Sequence, residues 1–427
     1  MSSTDRASTG WAYLTLRHRD FRLLWATEGI STVGSQIQRA AVAWQIFQMT
    51  GDPLKLGILG LCRFVPIILF GIAGGVLADR RDRRQTLLAT QFVLLLTSAA
   101  LAALTFHGSI SLYAIYAITI FSATVESGSN PTRQALIPAL VPRGDLPGAT
   151  TMNLLAFHVA AVGGPALGGL LIAWRGIGTA YLVDAVSFLA VIAAVLLMRQ
   201  RPQIPSLAMG GFAAALEGLR FLRGMPVLLG VMGTDFVATF FGVSNSLMPI
   251  FAGNILHAGP QGYGLLLAAP AAGAVATALI MGFIRMPARP GAGVLLSVLV
   301  YGACLLGFGL SRSLALSLAL LAGSGAADSV SMTLRHGVRN LLTPDALRGR
   351  VAAVHRTLGV GGPQLGEFEA GLLASLIGAG PAVALGGMGT MLSAIAIAKR
   401  IPAIAAYRLD ADPTDATDDP RPAALNA

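Results

Sequence analysis

Glu28, Glu126, Asp235, Asp328 and Glu367 stand inside long apolar stretches, as do Arg39 and Arg63. A carboxylate in apolar surroundings is costly unless it is paired, hydrated or protonated. Burial favours its neutral form and a nearby guanidinium its charged form. A movement that alters either influence therefore alters proton affinity, and such acids are candidates for proton coupling. The competing reading is a set of fixed ion pairs, for example Glu28 with Arg39 or Arg63. Helical spacing extends each acid into a polar stripe: Glu28, Thr32, Ser35 and Arg39; Ser122, Glu126, Asn130 and Arg133; Asp235, Thr239 and Ser246; Ser324, Asp328, Ser331 and Arg335. Such faces cannot look into lipid, so they line water or pair with one another. Asp184 reads as structural. Glu367 and Glu369 are two apart and point to nearly opposite sides, so at most one faces a cavity.

These residues have to be positioned by membrane-spanning helices. The chain has 427 residues, 54% hydrophobic and 12% charged, against about 25% charged in a soluble domain. Backbone polar groups must be satisfied within lipid, so apolar runs of roughly 20 residues read as helices. Twelve candidates follow, near 21–48, 54–78, 85–106, 109–137, 149–173, 177–199, 225–252, 261–285, 291–311, 313–338, 347–375 and 380–399. Arginines crowd the N-terminal tail, the connections after spans 2, 4, 6, 8 and 10, and the C-terminal tail, while the opposite side holds only Lys55, Arg175 and Arg312. The positive-inside rule then places both termini in the cytoplasm. The organisation expected is a tail over 1–20, a six-helix bundle over 21–199, a linker with an amphipathic helix over 200–224, a second six-helix bundle over 225–400 and a disordered tail over 401–427. The formal net charge of +10 follows this topology and does not indicate nucleic acid. Cys62 and Cys304 lie in apolar runs and suggest neither a disulfide framework nor a metal site. No cofactor is expected.

Two stretches carry more specific information. "GGVLADRRDRR" joins spans 2 and 3 and places Gly75, Asp79, Arg80, Arg83 and Arg84 in one turn. It resembles the signature of the same loop in the major facilitator superfamily, with Asp82 where that signature has glycine. "AAVGGPALGG" in span 5 is similar to the superfamily's antiporter signature; Gly164, Pro165, Gly168 and Gly169 carry the match and Ala160 replaces its first glycine. "GGPQLGE" at 361–367 echoes it in the second half. "HRDFRLLWATEGIS", "QGYGLLLAAPAAGA", "ARPG" and "TPDALRGRV" resemble the branch of siderophore exporters and macrolide-efflux proteins, a similarity that runs through most of residues 17–400.

The resemblance implies an all-α integral membrane protein: twelve helices in two pseudo-symmetric bundles of six, with spans 1, 4, 7 and 10 lining a central cavity. Glu28, Glu126, Asp235 and Asp328 each fall on one of those four. By the rise of an α-helix, the four acids are expected around the cavity with Arg39 and Arg63 toward the outer side. The resemblance also makes the loop after span 2 a conformational latch, with Asp79 meeting the start of span 11 and Arg83 the end of span 4. It implies a monomeric secondary transporter of the inner or plasma membrane that exports a siderophore, macrolide or other drug in exchange for protons. The alternatives are a proton-driven importer and a lipid-moving protein of the same fold. No phosphate-binding loop, H-E-x-x-H or G-x-S-x-G sequence is present, so ATP drive and hydrolytic catalysis are not expected.

Overall fold

In the computed structural model, residues 13–79, 83–199, 220–222, 224–242, 245–281, 283, 287–344 and 347–407 are described. Among them run twelve principal helices: α1 (Arg19–Thr50), α2 (Pro53–Asp79), α3 (Arg83–Phe106), α4 (Leu112–Ala139), α5 (Leu146–Arg175), α6 (Ile177–Leu197), α7 (Pro226–Phe240), α8 (Gly259–Met281), α9 (Pro290–Leu310), α10 (Leu314–Leu342), α11 (Arg348–Ile377) and α12 (Ala379–Arg400). Nine segments among the described residues are long and apolar enough to cross a membrane. Large apolar side chains such as Leu69, Phe92, Leu196, Leu296, Leu376 and Leu392 are exposed, as lipid-facing positions must be.

The seventh span departs from the continuous helix expected over 225–252. α7 ends at Phe240, and the chain resumes through a single 3-10 turn (Asn245–Leu247) and a π turn (Phe251–Ile255). "FFGVSNS" explains the break. Glycine, serine and asparagine are weak helix formers, and the polar side chains compete for backbone partners. The Ser246 hydroxyl donates to the Glu367 carbonyl at 3.4 Å.

The chain divides into two compact units, Met1–Leu207 with Met248–Ala271, and Ala208–Leu247 with Ala272–Ala427. In the first unit, Phe21 and Leu24 of α1, Leu87 of α3, Leu136 of α4, Met152 of α5 and Val191 of α6 form one apolar cluster. Polar contacts brace its margin. The Trp25 indole donates to the Met152 carbonyl at 2.9 Å, and the Arg199 amide to Asp20 Oδ2 at 3.0 Å.

The start of α8 joins this first unit because glycines let backbones meet. A methyl group at Gly169 of α5 would strike the Pro260 carbonyl and come within 2.8 Å of Gly264 Cα. Close approach of this kind needs residues without side chains. The Trp44 and Tyr263 rings stack at 5.2 Å, and the Tyr263 hydroxyl donates to the Ala40 carbonyl at 3.1 Å.

In the second unit, Val231 of α7, Leu295 of α9, Val338 of α10 and Ile404 form a core cluster. α7 lies close on α11, since a methyl at Gly366 would run into the Phe240 carbonyl.

Candidate functional site

Asp235 lies on α7, five residues before that helix ends. Asp328 and Arg335 lie on α10, two helical turns apart and on one face. Arg335 Nη2 is 2.8 Å from Asp235 Oδ1 and 3.4 Å from Asp328 Oδ1, so one guanidinium nitrogen serves two carboxylates. The Arg335 and Asp235 side chains are 6% and 11% exposed, whereas Asp328 is 46% exposed. The inner pair is therefore short and dry, and the outer one long and open. His355 of α11 brings Nδ1 to 3.7 Å from Asp235 Oδ2. The His336 ring meets the His355 ring edge-on at 5.8 Å. Three helices thus converge on Asp235. Arg335 Nη1, Ser331 Oγ and His355 Nδ1 are buried and have no hydrogen-bond partner among the described residues.

A second, looser pair sits in the first unit. Arg39 Nη2 of α1 lies 3.7 Å from Glu126 Oε2 of α4, with side chains 52% and 39% exposed. Arg39 Nη1 donates to Gln36 Oε1 at 3.1 Å. Glu28 and Glu367 are buried, and Arg63 is half-buried. Asp184 of α6 is wholly buried and accepts from the Ser98 hydroxyl of α3 at 2.7 Å and the Ser35 hydroxyl of α1 at 3.3 Å. Gln38 in turn donates to Ser98 at 2.7 Å. This network ties three helices together.

The glycines of the α5 motif have separate contacts. Gly164 faces Gln36 and Gly168 faces Ile37, both on α1, while Gly169 faces α8. Pro165 lies inside the helix and is buried. Of the loop after α2, Arg80 lies outside the described residues, as do the side chains of Gly75, Asp79 and Arg83. The backbone of Asp79 closes α2 and that of Arg83 opens α3. Arg84 Nη2 donates to the Leu196 carbonyl at 3.0 Å, which fastens α3 to the end of α6.

Between α4 and α5, Asp145 accepts from Arg17 at 3.0 Å and lies 2.7 Å from His18 Nε2. The bond to His18, with help from Arg17, holds the Asp145 carboxyl below its ordinary range.

Sequence reasoning placed Arg335 in a polar stripe but missed it as the residue that joins two acids. It missed His336 and His355 altogether. A basic residue seven positions after Asp328 was the one available signal, because two turns of helix return to the same face.

A family model described as a transmembrane secretion effector matches residues 8–425. The enterobactin exporter EntS of Escherichia coli O139:H28 (strain E24377A / ETEC) is 29% identical over 385 residues, 89% of this chain and 88% of that protein. The enterobactin exporter EntS of Escherichia fergusonii matches to the same extent. The crystal structure of a bacterial homologue of the iron transporter ferroportin, in an inward-facing state, superposes with a TM-score of 0.70 at 13% identity, over 91% of this chain and 99% of that one.

Proposed function

The chain belongs to the transmembrane secretion effector family, within the major facilitator fold, and from that premise we propose that it exports a small organic compound in exchange for protons by alternating access. It is a multi-pass membrane transporter and not an enzyme. The observation that carries the proton reading is the single guanidinium of Arg335 between Asp235 and Asp328. Two carboxylates share this one guanidinium nitrogen, and a proton can neutralise one of them at little steric cost. The Arg39–Glu126 pair offers a second, more hydrated site of the same chemistry. Glu28, Arg63 and Glu367 complete the set of candidate coupling residues.

Export is favoured by the α5 glycine-proline motif and by the relatives named as enterobactin exporters. Siderophores are therefore the first substrate class, with macrolides and other drugs next. The protein works in the inner membrane as a monomer, with both termini in the cytoplasm and the loop after α2 as its latch. It needs no cofactor.

Efflux from proteoliposomes under an imposed pH gradient tests this reading. The probes are a catecholate siderophore, a macrolide and a cationic dye. Wild type is compared with Glu28→Gln, Glu126→Gln, Asp235→Asn and Asp328→Asn. The expected result is gradient-driven efflux that at least one substitution uncouples while downhill flux persists. Undiminished gradient-driven efflux in all four variants overturns carboxylate coupling.

A further inference from the structure

Asp235 presents its two oxygens to two different helices. Oδ1 meets Arg335 of α10 at 2.8 Å, and Oδ2 faces His355 Nδ1 of α11 at 3.7 Å. The second distance is too long for a hydrogen bond, and among the described residues His355 Nδ1 has no hydrogen-bond partner. Arg335 for its part has an alternative. The same Nη2 that holds Asp235 lies 3.4 Å from Asp328, and Nη1 is buried with no hydrogen-bond partner among the described residues. The site contains one unmade bond on each side of Asp235.

We propose that His355 accepts the coupling proton at Nδ1 and that Arg335 registers its arrival by transferring from Asp235 to Asp328. The inference rests on the proton-coupled reading above and names the residues that execute it. A protonated Nδ1 would close on Asp235 Oδ2 to the length of a charge-assisted bond, about 2.7–2.9 Å. One carboxylate then faces two cations, and its hold on each weakens. Asp328, already 3.4 Å from the same nitrogen, stands ready to take Arg335.

The surrounding charges make the two events dependent on each other. From α7, Asp235 favours the imidazolium. Burial opposes it, as do Arg339 and Arg335 from α10, and Asp328 and His336 are the other titratable groups around it among the described residues. Moving Arg335 away removes one opposing charge, so proton uptake and the transfer of Arg335 assist one another. That is a two-state element biased by one proton. It changes which helices are tied, from α7–α10 to α7–α11.

Nitrogen NMR of the full chain in nanodiscs, labelled at arginine and histidine side chains, tests this without a substrate. Signals are assigned by their loss in His355→Asn and Arg335→Lys. The expected result is an Arg335 side-chain shift that follows the ionisation of His355 with the same midpoint as the pH is lowered. In His355→Asn that shift disappears, and His355→Gln repeats the result should asparagine fold poorly. In Asp328→Asn, His355 still ionises but the Arg335 shift shrinks. An Arg335 signal that moves equally in His355→Asn, or does not move in wild type, overturns the proposal. Efflux under a pH gradient is read in parallel. Loss of gradient drive in wild type, with the linked NMR shifts intact, overturns the proton-exchange reading and leaves the switch standing.

Discussion

Arg335 and Asp235 are a bonded pair, yet removing one should cost far more than removing the other. At an effective dielectric constant of ~20, unit charges 2.8 Å apart interact by about 6 kcal/mol and at 3.4 Å by about 5 kcal/mol. These are gross values, and desolvation offsets most of each. The Asp328 share is smaller still, because a carboxylate 46% exposed is screened by water. Arg335→Leu leaves Asp235 buried without its bonded partner, the His355 imidazole standing 3.7 Å away, and leaves two carboxylates close together. Loss of one partner from a buried pair costs about 3–5 kcal/mol. Asp235→Asn leaves Arg335 both Asp328 and an amide oxygen to bond, so about 1–2 kcal/mol is expected, in the range of a weakened hydrogen bond to a charged group. The double variant Asp235→Asn/Arg335→Leu should be more stable than Arg335→Leu alone, with a coupling energy of about 2 kcal/mol. Denaturant unfolding in detergent micelles, followed by tryptophan fluorescence for all four proteins, supplies the cycle. Equal costs for the two single variants, or a coupling below about 0.5 kcal/mol, would refute the argument that Arg335 has a reserve partner and Asp235 does not.

Gly169→Ala should destabilise by about 1–3 kcal/mol or more, because the added methyl meets the Pro260 carbonyl and Gly264, which are backbone; Gly163→Ala, where nothing lies within 4 Å, should be neutral or stabilising by up to about 1 kcal/mol, and thermal unfolding separates the two. Asp184→Asn should express and fold, since an amide oxygen still accepts from Ser98, whereas Asp184→Leu strands the Ser98 and Ser35 hydroxyl donors and should cost about 1–3 kcal/mol; yield and size-exclusion profile check this. The contact of Asp145 with His18 and Arg17 should persist above the ordinary carboxylate range, near pH 4. Because the folded carboxyl is held low, the contribution is lost as pH falls through that lowered value. Hydrogen exchange in residues 13–22 should accordingly be constant from pH 8 to about 5, once corrected for intrinsic rates, and accelerate below pH 4.

The sequence was most informative where lipid leaves the chain no choice. A backbone in hydrocarbon must form helices, so apolar length alone located twelve segments and the expected starts of α1, α2, α6 and α12 fall within two residues of the observed ones. The interruption after Phe240 was written in "FFGVSNS", but apolar length outweighs a few weak helix formers when a span is read as a whole. Pairing between helices was less legible, because it depends on rotations and approaches that no single helix encodes. Arg39 could be placed beside an acid by charge, yet the partner in the structure is Glu126 across α1 and α4 rather than one of the nearer acids in sequence. Arg335 illustrates the same point from the other side. Its spacing from Asp328 put the two on one face, while its shorter bond runs to Asp235 on another helix. α7 also lies close to α11, where Gly366 admits the Phe240 carbonyl, and His355 on α11 faces the same carboxylate. Small residues set the distances and ionisable residues use them. A sequence lists both without their conjunction, which is why four acids could be named as candidates while the imidazole beside one of them gave no sign of its role.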